Sequence, residues 1–264
     1  MKTVAVLGCG NMAQALVKGW ASESLLKHYC YTPSRTRAEI LAREVRGEVL
    51  ENLDSINHFD VYVIACKPQQ ISELAQELRG KISKGALVIS LLAGVTTERL
   101  SELLEHKFIL RVMPNTPSMI GKGVSALYYT QNVDTDTKNF WQERFSQTGL
   151  SVVFDNEEKI DVISPFSGSG PAYIFEFARI FIEKMSDMGI DKETAHKMIV
   201  QTFVGASELM AHSNESPETL RNNVTSKKGM TYEALEVFKN SNLTNIFSTA
   251  IDSAYQRGKE LSKN

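Results

Sequence analysis

Cysteine is scarce in this sequence, with three residues in 264, at Cys9, Cys30 and Cys66. Their odd number and irregular spacing exclude a disulfide framework and a cysteine metal site. Each lies in or beside an apolar run, where a free thiol behaves as a small buried hydrophobe. Histidine is almost as thin. His28, His58, His106, His196 and His212 are the five present, and none stands next to a nucleophile or a ligand cluster. H-E-x-x-H and G-x-S-x-G are missing, so zinc-protease and serine-hydrolase chemistry have no foothold. Neither sign of charge is in excess: 29 Lys and Arg stand against 31 Asp and Glu, a net charge of -2. That balance argues against a nucleic-acid partner. No apolar stretch approaches the roughly 20 residues that cross a bilayer, and the run at 4–7 is too short for a signal peptide. The expectation is a soluble, cytoplasmic protein with neither a membrane nor a nucleic-acid partner.

What is present is an alternation of short β-rich runs with helical patterns. Strands are predicted at 3–7, 28–32, 61–66, 87–91, 108–112, 124–129 and 151–154, and helices at 12–22, 37–45, 71–78, 97–104 and 135–148. The run Val61-Tyr62-Val63-Ile64-Ala65-Cys66 is apolar without interruption, as in a strand covered by helices on both faces. Such alternation predicts a doubly wound α/β sheet. From about residue 161 no strand is expected. Helices are predicted at 172–188 (Pro171 at its start, Gly189 at its end), at 192–212 capped by Asp191, briefly from Ser216, and at 243–262 capped by Asn242. The architecture expected is an N-terminal Rossmann-like domain over 1–155 and an all-helical domain over 156–264. The segment 172–182 is apolar nearly all round. Such a helix lies either at a subunit interface or at the centre of a monomeric bundle.

Gly8-Cys9-Gly10-Asn11-Met12-Ala13 follows the first strand and opens a helix, which is G-x-G-x-x-A in the context that gives it meaning. The first glycine permits the tight turn and the second lets backbone approach a pyrophosphate. Ala13 lets the helix pack closely on the sheet, and the helix N-terminus favours phosphate. After the second strand, an NAD site carries an acid for the ribose 2′-hydroxyl. Here Tyr31-Thr32-Pro33-Ser34-Arg35-Thr36 has none. Ser34 and Arg35 instead suit a 2′-phosphate, which points to NADPH with NADH as the alternative donor; the competing reading makes Arg35 a solvated loop residue.

Three further segments have the composition of a site: Arg111-Val112-Met113-Pro114-Asn115-Thr116-Pro117, the small-residue turn Ser167-Gly168-Ser169-Gly170-Pro171, and Val224-Thr225-Ser226-Lys227-Lys228-Gly229-Met230-Thr231. Read singly, each is a plain loop. Taken in order with the glycine turn and Ala65-Cys66-Lys67-Pro68-Gln69, they resemble the pyrroline-5-carboxylate reductase family over essentially the whole chain. The resemblance implies a Rossmann domain for NADPH and a helical domain that forms dimers and rings of dimers, with substrate sites built between subunits. It implies reduction of the cyclic imine of 1-pyrroline-5-carboxylate to L-proline. Thr231 would hydrogen-bond the ring nitrogen. Ser226 and the backbone of Gly229 and Met230 would hold the carboxylate, beside Val224. Ala65, Cys66, Lys67, Pro68, Ala93, Asn52 and Asn115 would flank the cofactor. One departure stands out. Family members often read T-S-P-G-G-T-T where this chain has Lys227 and Lys228 in place of Pro and Gly. Losing that glycine restricts positive φ, so a different loop path is expected.

Two other readings compete. A 3-hydroxyacid dehydrogenase of the 6-phosphogluconate type would need a lysine three or four residues before Asn222-Asn223, and none is there. A non-catalytic NADPH sensor would have no need of Ser226 and Thr231.

Overall fold

The computed structural model describes residues 1–20, 25–54 and 56–262. The chain forms two compact units. One contains Met1–Pro171 with the C-terminal segment from Ala254, and the other is Ala172–Ser253. In chain order the first unit holds β1 (Lys2–Leu7), α1 (Asn11–Trp20), β2 (Leu26–Tyr31), α2 (Thr36–Glu44), β3 (Glu48–Val49), β4 (Val61–Ile64), α3 (Ile71–Leu78), β5 (Leu87–Ser90), α4 (Thr97–Leu104), β6 (Ile109–Met113), β7 (Gly123–Tyr129), α5 (Thr135–Ser146), β8 (Gly149–Val153) and α6 (Glu158–Ile163). The end of the first predicted helix, at 21–22, lies outside the described residues.

The strands lie in the order β3-β2-β1-β4-β5-β6-β7-β8. All neighbours are parallel except β6 and β7. The chain runs outward from β1 through β2 and β3, then returns to place β4 on the other side of β1. That reversal opens a crevice beyond the carboxyl ends of β1 and β4, where doubly wound sheets bind ligands. Strand pleating divides β1 between two cores. Val4 and Val6 pack with Leu16, Trp20 and Leu41 on one face. Ala5 and Leu7 pack with Leu78, Leu100 and Ile109 on the other. Helices α1, α2 and α5 therefore cover one side of the sheet, and α3 and α4 the other, so the central strands read as continuous apolar runs.

Two features go beyond the predicted strands. β3 is a two-residue edge pairing of Glu48 and Val49 with Tyr29 and Cys30, too short to leave a periodic signal. β6 and β7 are antiparallel because they are joined by only a short 3₁₀ turn at Thr116–Ile120, which cannot make the crossover a parallel pair needs.

Beyond β8 the chain is helical. A π-helical turn at Ser164–Gly168 joins α6 to α7 (Gly170–Asp187), followed by α8 (Lys192–His212), α9 (Pro217–Asn223), α10 (Met230–Asn240) and α11 (Leu243–Ser262). Asp191 caps α8 by accepting from Thr194 N at 3.0 Å, and Ser216 caps α9 by accepting from Thr219 N at 3.1 Å. Asn242 stands at the N-terminal edge of α11. Its φ is 54°, and its backbone carbonyl accepts from Asn245 and Ile246, so it serves as the left-handed residue between α10 and α11, a conformation Asn tolerates. Between residues 172 and 253 Ala195 alone is buried, while Ile174, Phe175, Ile180 and Phe181 of α7 are exposed. Among the described residues no helix is long and apolar enough to cross a membrane.

Candidate active site

The glycine turn sits at the crevice between β1 and β4. Gly8 has φ 105°, and a Cβ there would come within 2.6 Å of the Ala65 carbonyl carbon and oxygen. Only glycine allows the β1 turn to pass this close to the end of β4. Gly10 is the converse case: a Cβ there would meet nothing within 4 Å, so its missing side chain leaves open space above the backbone. Gln14 Nε2 donates to the Cys9 carbonyl at 3.1 Å and steadies the turn from the first helical coil.

Above the turn lies a cleft of about 630 Å³ lined by Gly8, Cys9, Gly10, Ser34, Ala65, Cys66 and Lys67 from the predicted set. Its wall also includes Tyr31, Thr32, Pro33, Arg37, Gln70, Glu73, Leu74 and Glu77, none of which the motif reading assigned to the cofactor. A signal for the last four was present: 70, 73, 74 and 77 follow i, i+3, i+4, i+7 and form one stripe from the N-cap along α3, flanking the buried Ile71, Ala75 and Leu78.

The other predicted cofactor residues lie elsewhere. Asn11, Met12 and Ala13 begin α1 beneath the turn, with Ala13 packed in the core. Pro68 lines a separate hollow beside Val95 and Arg99. Asn52 Oδ1 accepts from Asp54 N at 3.0 Å, and Ala93 is exposed past the end of β5. Arg35 stands outside the cleft lining with φ 54°, its Nε donating to Glu39 at 2.8 Å and its Nη1 to Glu51. Asn115 is buried. Its Nδ2 donates to Ser167 O at 3.0 Å and its Oδ1 accepts from Val124 N at 2.8 Å, which clasps β7 to the π-helical turn.

Arg111, in the same segment as Asn115, is buried on β6 and pairs with Glu157 at 2.9 Å and Asp161 at 2.5 Å. Glu157 also accepts from Thr97 N and Oγ1 at 2.7 and 2.6 Å. Arg111 and Glu157 thus fasten β6 to the starts of α4 and α6. The segment 167–171, read from sequence as a loop of small residues, belongs to a π-helical turn and the start of α7. It packs so closely that a Cβ at Gly168 would lie 2.3 Å from Met113 Cε.

Two of the three cysteines, Cys9 and Cys66, line the cleft, and Cys30 lies in the core on β2. Cys9 and Cys30 are buried and Cys66 is half-buried. A hydrogen bond from Cys9, together with burial, raises the Cys30 thiol. Burial pushes Cys66 up to about 11. Thiols held protonated in this way are poor nucleophiles, which leaves Cys66 as a neutral wall of the cleft.

Ser226, Gly229, Met230 and Thr231 belong to the helical unit. Gly229 N donates to Ser226 O at 2.9 Å, and a Cβ on Gly229 would lie 2.2 Å from Ser226 Oγ, so this glycine lets the serine hydroxyl fold over the start of α10. Gly229 caps α10 without a side-chain bond. Val224, Met230 and Thr231 are exposed. At the position where the resemblance would place a glycine, Lys228 itself takes φ 60°. The lysine accepts the left-handed conformation because the Ser226–Gly229 turn and the start of α10 fix the chain on both sides of it.

Comparisons with known proteins agree with this arrangement. A family model described as pyrroline-5-carboxylate reductase dimerisation matches residues 157–261, and one described as NADP oxidoreductase, coenzyme F420-dependent, matches residues 3–94. The pyrroline-5-carboxylate reductase of Haemophilus influenzae is 31% identical over 98% of this chain and 97% of its own length. Pyrroline-5-carboxylate reductase 1 of Bacillus subtilis is 32% identical over 99% of this chain and 90% of its own. The structure of a pyrroline-5-carboxylate reductase from Coxiella burnetii is similar at 33% identity, with a TM-score of 0.84, over 100% of this chain and 99% of that one. With a glycine turn open to a cleft at the β1–β4 switch point, and with full-length relatives above 30% identity, this chain belongs to the pyrroline-5-carboxylate reductase family.

Proposed function

We propose that this chain reduces the C=N bond of 1-pyrroline-5-carboxylate to L-proline, the last step of proline biosynthesis, with NADPH as donor and NADH as the alternative. The observation that carries the reading is family membership over the whole length, joined to a cleft whose glycine turn fits a dinucleotide. The fit is physical. Gly8 brings the turn against β4, Gly10 leaves room for a pyrophosphate, and the start of α1 faces it. Gly8, Cys9 and Gly10 would take the pyrophosphate, Ser34 the adenosine ribose, and Ala65, Cys66 and Lys67 the strand edge beside the nicotinamide. When bound, the nicotinamide supplies a hydride to the imine carbon.

The chain's own residues position and polarise the substrate. Ser226 Oγ and the backbone N–H of Met230 hold the carboxylate, beside Val224; the Gly229 N–H expected to join them is given to Ser226 O in this structure. The Thr231 hydroxyl donates to the ring nitrogen as it gains its proton. A threonine hydroxyl is too weak an acid to be the final proton source, so solvent water replaces the proton. The domains divide the work, 1–155 binding the dinucleotide and 156–264 the imine and a second subunit. The exposed apolar side chains of α7 suit a homodimer, with rings of dimers as the larger assembly, in the cytoplasm.

The test is loss of NADPH absorbance with purified protein and 1-pyrroline-5-carboxylate, with L-proline identified as product. Turnover is expected. Cofactor binding without turnover on this or any cyclic imine would replace the reductase with an NADPH sensor.

A further inference from the structure

The wall of the dinucleotide cleft carries charges of both signs. Arg37 stands on the β2 side with Ser34, Lys67 stands at the end of β4, and Glu73 and Glu77 face them from α3. Two carboxylates in the wall make the cleft inhospitable to a phosphate dianion unless a cation stands close to it. Arg35, next to Ser34 in sequence, is not that cation in this structure. Its backbone is left-handed, and its guanidinium lies outside the cleft lining, paired with Glu39 and Glu51. A guanidinium between two carboxylates has a local surplus of negative charge, and it must exchange existing pairs before it can meet a phosphate. Arg37 lies two residues on, in the first turn of α2. It lines the same wall as Ser34 and has no ion-pair partner among the described residues.

We propose that Arg37 is the residue that selects a 2′-phosphorylated dinucleotide, and that Arg35 acts at one remove by bracing the turn that presents Ser34 and Arg37. This rests on reading the cleft as the NAD(P)H site. Carboxyl ends of second strands are where Rossmann folds meet the adenosine ribose. Both Ser34 and Arg37 reach the cleft from just beyond the end of β2. Glu51 follows β3 in sequence, so its pair with Arg35 ties the turn to the edge of the sheet.

The experiment measures dissociation constants for NADPH, NADH, 2′,5′-ADP and 5′-AMP by calorimetry on the full chain, alongside KM for both donors. The proteins compared are the wild type, Arg37→Ala, Arg37→Gln and Arg35→Ala. Arg37→Ala is expected to weaken NADPH and 2′,5′-ADP on the order of tenfold to a hundredfold, the worth of a charge-assisted hydrogen bond, with NADH and 5′-AMP unchanged. Arg37→Gln repeats the selective loss if the alanine variant folds poorly. Arg35→Ala is expected to weaken all four ligands alike. A selective loss in Arg35→Ala with none in the Arg37 variants overturns the assignment and leaves the functional reading standing. Equal loss of both donors in Arg37→Ala also overturns it. A wild type that binds neither dinucleotide overturns this inference and the functional reading together.

Discussion

At the scale of single residues, the two glycines of the turn have different physical duties, and substitution separates them. Gly8→Ala forces a Cβ into the Ala65 backbone at positive φ, so it is expected to cost about 1–3 kcal/mol of stability and to lower the melting temperature. Gly10→Ala meets open space and is expected to keep the wild-type melting temperature while weakening NADPH binding, because the methyl group occupies the room left for the pyrophosphate. Calorimetric melting together with cofactor titration reads both; a fall in melting temperature for Gly10→Ala alone would reverse the assignment. Thr231→Ala is expected to cut turnover with little change in NADPH affinity, and unchanged turnover removes Thr231 from the chemistry. His28 gives a pH dependence. It is buried in β2 with Nε2 unpartnered among the described residues, and desolvation lowers its pKa from 6.5 to about 4. The unfolded chain therefore binds a proton in a range where the folded chain does not. Stability is full above pH 6.5 and declines as pH falls from 6.5 towards 4. Urea midpoints at pH 7 and pH 5 are expected to show this drop, and His28→Leu to flatten it.

At the scale of elements, the loop before α10 matters most. Lys228 holds a left-handed φ of 60° where family members often have glycine, at a strain of about 1–2 kcal/mol. Lys228→Gly is expected to preserve the turn and the turnover. Lys228→Val, whose branched Cβ tolerates this φ worst, is expected to disturb Ser226 and Gly229 and so raise KM for the imine more than for NADPH. Equal behaviour of the two variants would mean that the backbone path is immaterial. Most elements were legible in the sequence because their signals are local. The stripe 71/75/78 delimits α3, and Asp191 delimits α8. The exceptions are also physical. β3 is too short to show a period, and the small residues of 167–171 read as a loop although 164–168 is a π-helical turn. Asn115 looked like a ligand residue because it sits beyond a strand end. Its side chain is instead consumed by the backbone of Val124 and Ser167.

At the scale of the whole molecule, the helical unit cannot be a finished surface. It buries Ala195 alone between 172 and 253 and exposes Phe175 and Phe181 at 65% and 48%. Burying one such side chain is worth about 1.5–3 kcal/mol. Phe175→Glu is expected to shift the sedimenting species towards monomer and to remove activity with it; an unchanged mass would take this face of α7 out of the interface.

The sequence by itself determined the doubly wound sheet, the glycine turn, the helical second half and the family, because each is written in local periodicity or in an ordered set of motifs. Only the tertiary structure decided which polar residues reach the cleft. Arg35 and Arg37 are two positions apart in one turn, and the i,i+4 pairing open to Arg35 does not by itself say which of them lines the cleft. Glu39 and Glu51 draw the first away from the cleft, and the position of α2 along the edge of the crevice brings the second into it. Glu39 is a local i,i+4 partner of Arg35, but Glu51 lies 16 residues away and comes within reach only once β3 has paired at the edge of the sheet.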